Sequence, residues 1–132
     1  MTGIVRIDTS PLDRVADPID PAKVLAGAPV TGTRPATEDD VRGFYTGVWE
    51  SAPGKWAVDY AEDELCVILA GRLRLTSEAG HAEEFSAGQS FVIPRGFRGT
   101  WETGPQDLRD LDRVEPFQGI ASRFGVPLSD EA

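Results

Sequence analysis

The chain holds a single cysteine, Cys66, and a single histidine, His81. One cysteine excludes an internal disulfide, and one histidine excludes a site built on several imidazoles. Long apolar runs are missing as well: nothing approaches the roughly 18 residues that a membrane-spanning helix requires, so no membrane partner is expected. No basic stretch followed by an apolar block appears after Met1; no secretory signal is expected, and a cytoplasmic location is the default. Lysine is scarce, with Lys23 and Lys55 alone. Basic clusters interleaved with aromatics are absent. With 22 acidic against 13 basic residues and a net charge of −9, the chain repels phosphate backbones. Nucleic acid is not an expected partner.

What is present suits one soluble domain: 132 residues, 40% of them apolar, with a mean hydropathy of −0.25. Five of the ten prolines (Pro11, Pro18, Pro21, Pro29 and Pro35) fall between residues 8 and 40. Proline cannot donate to a ladder, so no central strand is expected there. Two helical turns suit the segment, over Ser10–Asp13 and Asp20–Gly27, each with a capping side chain before a first-turn proline. Residues 1–40 are therefore expected to form an arm laid over a single domain at 41–132.

From Val41 onward, short apolar runs are broken by Gly, Pro and Asp. Strands are predicted at 41–50, 55–60, 64–69, 72–76, 82–85, 90–93, 100–102 and 108–114, with turns at Ser51–Gly54 and Ala70–Gly71. Strands at this spacing predict an all-β sandwich or barrel. Near the end, Phe117, Ile120, Ala121 and Phe124 have helical spacing before Gly125, which predicts a short closing helix or an apolar strap.

Two turns organise the middle of the chain. In the first, Glu64 is followed after six residues by Gly71. In the second, Gly88, five residues, Pro94, one residue and Gly96 follow one another. These spacings resemble the two motifs of the cupins. Gly47–Glu50, Gly54, Trp56, Asp63–Cys66, Phe91–Phe97 and Gly99–Trp101 are similar to the small single-domain cupins related to the cupin domain of ureidoglycine aminohydrolase. The resemblance covers roughly residues 41–103. It implies a double-stranded β-helix, or jelly-roll barrel, often paired, so a homodimer is expected.

A metal-binding member of that family places two histidines before the first-motif glutamate and a third after the second-motif glycine. Here those positions fall on Val58 and Tyr60 (Ala57 and Asp59 if the loop is one residue longer) and on Gly99. Glu64 alone remains of four ligands, so no metal and no cofactor is expected. Oxygens from Asp59, Tyr60, Glu62 and Glu64 suit a solvated acidic turn better than a hard-cation site, and His81 suits a solvated hairpin. In the strand after the second motif, where relatives carry Arg-Lys and an aromatic, this chain has Arg109-Asp110, which weakens any anion-binding role there.

Strand alternation turns Gly99, Trp101 and Thr103 to one face and Glu64, Cys66 and Ile68 to another. Trp101 is expected inside the barrel, in room vacated by the histidine that Gly99 replaces. Tyr60 and Glu64 face it, and a buried Glu64 needs a partner, Arg98 or Arg109. Two arrangements suit Tyr60, Glu64 and Trp101. One is an aromatic-walled pocket in which Glu64 and Tyr60 supply acid/base chemistry to a small polar metabolite. The other is a packed barrel in which the tyrosine donates to the glutamate. Trp49 and Trp56 fit the mouth of such a pocket or, preferably, packing beneath the arm; both count as candidate ligand-binding residues. Cys66 reads as a small apolar core residue. The function expected is a small cupin that binds a metabolite without metal. The alternatives are a dimeric accessory or sensor scaffold, and a metal-dependent enzyme like ureidoglycine aminohydrolase.

Overall fold

The computed structural model describes residues 3–9, 15–104 and 117–124. Eleven strands occur among them: β1 Val15–Ala16, β2 Val24–Gly27, β3 Thr31–Asp39, β4 Phe44–Ser51, β5 Gly54–Asp59, β6 Asp63–Ala70, β7 Arg72–Ser77, β8 Ala82–Ser86, β9 Ser90–Ile93, β10 Arg98–Thr103 and β11 Phe117–Phe124. They form a six-stranded sheet, β1-β3-β4-β11-β6-β9, and a five-stranded sheet, β2-β5-β10-β7-β8, with every pairing antiparallel. This is the jelly-roll barrel that the sequence predicts. Among the described residues no helix is long and apolar enough to cross a membrane.

Alternation builds the core. Along β6, Glu64, Cys66 and Ile68 are buried, and along β7 so are Leu73 and Leu75. Cys66, Ile68, Leu73 and Leu75, with Trp56, Ile93 and Trp101, form one hydrophobic cluster between the sheets. β6 turns directly into β7, and Gly71 takes φ +85° there, a left-handed conformation that costs glycine little. Gly96 does the same (φ +88°) after Pro94 ends β9.

Two elements differ from expectation. The 3₁₀ turn at Pro21–Lys23 is capped as predicted, with Asp20 Oδ1 accepting the Ala22 N–H at 3.0 Å. It stops at Lys23, however, and Val24–Gly27 continues as β2 along the edge of β5. An available sheet edge and a β-branched residue outweigh a short helix. Further on, β3 is a nine-residue strand that contains Pro35. It pairs with β4 along its length but with β1 only at Gly32 and Thr33, and Pro35 adjoins the irregularity before Thr37. The missing N–H falls at a bulge, where it is tolerated.

A further correction concerns the C-terminal segment. Phe117–Phe124 is neither a helix nor a strap: it is β11, inserted between β4 and β6. A strand with a partner on each side satisfies its backbone on both edges, a stronger constraint than side-chain periodicity over eight residues. The strand expected at 108–114, the turn at Ser10–Asp13 and Arg109 lie outside the described residues.

Ile68 is 1% exposed and Val92 is 62% exposed. Ile68→Ala is expected to lower unfolding free energy by about 2–5 kcal/mol. Val92→Ala should cost about 0.5 kcal/mol or less. Urea denaturation measures both, and equal losses would contradict a core between the sheets.

Candidate functional site

The second turn holds the first in place. Gly96 N–H donates to the Tyr60 carbonyl at 2.7 Å, and Tyr60 N–H donates to the Phe97 carbonyl at 2.9 Å. Beside them Asp63 Oδ1 accepts the Arg95 N–H at 2.9 Å. The loop between β5 and β6 is thereby pinned to the turn after β9. Below it a cavity of about 500 Å³ opens between the sheets. Tyr60, Glu64, Trp101, Trp49 and Trp56 all line it, together with Arg123 and a rim that includes Asp17, Asp20 and Lys23.

The tryptophans serve both as packing and as wall. Trp56 and Trp101 are cross-strand neighbours on β5 and β10, with rings 6.2 Å apart and 23° from parallel. Trp49 reaches over from β4 and meets them edge-on, at 5.9 Å from Trp56 and 5.4 Å from Trp101. Offset and edge-to-face contacts of this kind add about 0.5–1.5 kcal/mol per pair beyond the area they bury. The walls are therefore rigid.

Glu64 is 4% exposed. Its Oε2 accepts from Arg123 Nε at 2.8 Å and its Oε1 from the Cys66 thiol at 3.1 Å. Arg123 sits directly opposite Glu64 in the β11–β6 ladder, on the same face. From there its side chain, 54% exposed, runs outward past the carboxylate. Burial works against the guanidinium's charge, but Glu64 outweighs it and raises the Arg123 pKa. Arg98 pairs with Asp59 instead, on the outside. Sequence reasoning missed Arg123 because residues 117–124 read as a helix or a strap. The available signal was that a buried Glu64 requires a cation, and parity in a strand there selects Arg123.

Tyr60 is not a donor to Glu64: it packs edge-on to Phe97, with centroids 6.4 Å apart. Burial, then the charge of Glu64, pushes its phenol well above the ordinary 10.0, and the same two causes raise the Cys66 thiol above 9.0. Neither group is poised as a nucleophile near neutrality.

Residues 38–106, about half of the chain, match the EutQ-like cupin domain. The chain belongs to the EutQ-like cupin family. No curated protein matches it. Among solved structures, this cupin is similar to a protein of unknown function of the DUF861 family from Pseudomonas syringae pv. tomato, at 18% identity and TM-score 0.72; the match covers 89% of this chain but spans only 46% of that one. The EutQ protein of Clostridium difficile follows at 16% identity and TM-score 0.62, with 89% and 80% covered. A putative ethanolamine utilization protein Q from Salmonella typhimurium has 19% identity and TM-score 0.57, with 72% and 69% covered. At these identities the likeness concerns the fold.

The residues of this cupin do not fit a three-histidine metal site. Val58 packs against the core, and both oxygens of Glu64 are engaged. At Gly99 a Cβ would lie 1.9 Å from the Thr76 carbonyl oxygen, so the backbone of β7 occupies the space a side chain would need. The expected vacancy beside Trp101 is thus absent. Trp101 is buried because it packs on Trp56 and Trp49, not because Gly99 makes room. Among the described residues no cluster of three or more His, Cys, Asp or Glu is arranged to hold a metal ion.

Three outcomes follow from this geometry. Gly99→Ala should destabilise the fold by about 1–3 kcal/mol through overpacking against β7, as read by urea denaturation. In a double-mutant cycle, Glu64→Gln and Arg123→Gln should couple by about 1–2 kcal/mol, the exposed guanidinium being partly screened by water. The raised pKa values of Cys66 and Tyr60 mean that the folded state holds their protons more tightly than the unfolded state. Their contribution is complete below pH 9.0, the ordinary thiol value, and is lost as pH rises beyond it. Stability measured from pH 8 to 11 should therefore fall, and Cys66→Ala with Tyr60→Phe should flatten that fall.

Proposed function

We propose that this cupin binds a small polar metabolite in the cavity between its sheets, without a metal ion. The observation that carries this is the cavity itself. About 500 Å³ remains open beside three mutually packed tryptophans and a buried, fully engaged carboxylate. That volume lies in the range of small-molecule sites. A barrel serving only as a dimerisation scaffold has no need of such space.

Glu64 acts here as the anchor of Arg123 rather than as an acid or base. Turnover at Glu64 would require breaking the Arg123 contact or the Cys66 contact. The Tyr60 hydroxyl, free of Glu64, is the polar group of the wall that is left to meet a ligand. A metal-dependent reaction of the ureidoglycine-processing kind finds no donor set at Val58, Tyr60 and Gly99.

All three tryptophans of the chain line the cavity, so tryptophan emission, excited apart from tyrosine, reports on it. Titration with a panel of polar metabolites is expected to shift that emission and raise the melting temperature for at least one of them. Tyr60→Phe should weaken that ligand by about tenfold, the worth of one hydrogen bond at a desolvated site. A panel that leaves both signals unmoved would count against a ligand-binding role.

A further inference from the structure

We infer that the ligand of this cavity is an organic ammonium ion, a compact hydrocarbon body with a positively charged amine; this rests on the ligand-binding role proposed above. The charges around the cavity are unequal. Glu64 is cancelled by Arg123 at 2.8 Å, and Asp59 is matched by Arg98 at 3.3 Å. Among the described residues that line the space, Asp17, Asp20 and Glu62 then face the single ammonium of Lys23. The contacts of Asp17 and Asp20 do not neutralise them, since Asp17 accepts from the Thr33 hydroxyl at 3.0 Å and Asp20 from the Ala22 N–H. A cleft whose lining carries an excess of one sign of charge concentrates the opposite sign.

Glu62 gives the second observation. Its Oε2 is shut off from water and has no hydrogen-bond donor among the described residues. The same side chain also lines an adjoining cavity of about 290 Å³, and Arg123 is common to both spaces. A carboxylate desolvated without a donor is costly, and a cation in the cavity relieves that cost through its field. The walls supply the third observation. Trp49, Trp56 and Trp101 present aromatic surface to the same space, and the negative face of an indole attracts an ammonium, most strongly where water is excluded. An anion would gain from Arg123 only by competing with Glu64 and Glu62, and would meet three carboxylates against the one ammonium of Lys23.

Three probes with one hydrocarbon body separate the cases: cyclohexylmethylammonium, cyclohexylmethanol and cyclohexanecarboxylate, each titrated against tryptophan emission at low salt. The ammonium is expected to bind about tenfold tighter than the alcohol, and the carboxylate weakest. Glu62→Gln should shrink the ammonium's advantage to about threefold while leaving the alcohol unchanged, and Asp17→Asn gives an independent measure of the same dependence. Salt at 0.5 M should narrow the gap as well. Equal affinities, or a preference for the carboxylate, would overturn the cationic ligand and leave the binding role intact. Silence from all three probes would remove both.

Discussion

A carboxylate buried between two sheets requires a positive charge beside it, and much of this barrel follows from how Glu64 obtains one. The pairing with Arg123 works because β11 lies in register next to β6 and places the two side chains opposite each other on one face. A shift of one residue would turn Arg123 to the other face and leave Glu64 without its charge partner. The ion pair therefore specifies the register of the strand that joins β4 to β6. Without β11 the six-stranded sheet would be two separate pieces.

The same pair explains why the carboxylate does not collapse the cavity. Cys66 and Arg123 take up both oxygens of Glu64, and no hydrogen bond joins it to Tyr60, whose backbone is tied to the turn at Gly96 and Phe97. The phenol stays against Phe97 and the space between the sheets stays open. On the opposite wall the tryptophans brace one another across the sheets, Trp49 from one and Trp56 and Trp101 from the other. Walls that need no rearrangement spare a ligand the cost of ordering them.

Much of this was legible in the sequence where the signals are local. Gly71, Pro94 and Gly96 mark reversals through backbone conformation alone, and alternation in β6 and β10 placed Glu64, Cys66 and Trp101 inside. What was not legible depends on partners distant in sequence. Phe117–Phe124 has apolar residues at helical spacing, and what makes it a strand is its pairing with β4 and β6, both far away in sequence. Pro35 argued against a strand, yet a bulge and a short β1 neighbour accommodate it. Arg123 was hidden by the first of these misreadings. Gly99 was misjudged for another reason: the lack of a side chain reads as empty space, whereas here the Thr76 backbone occupies it.

A cupin barrel can stand without histidines at its ligand positions. The two motifs do separate work. Their glycines and Pro94 shape turns, and those turns clamp the loop at residues 60–63 onto the turn at 94–97 through main-chain bonds that are indifferent to side-chain chemistry. Only the ligand positions depend on a metal. Val58, Tyr60 and Gly99 stand there, and at Gly99 the β7 backbone fills the place of a side chain. The cavity that remains is bounded instead by the segment at Asp17–Lys23 and by the tryptophans. The retained turns thus hold the barrel whether or not its ligand positions carry histidines.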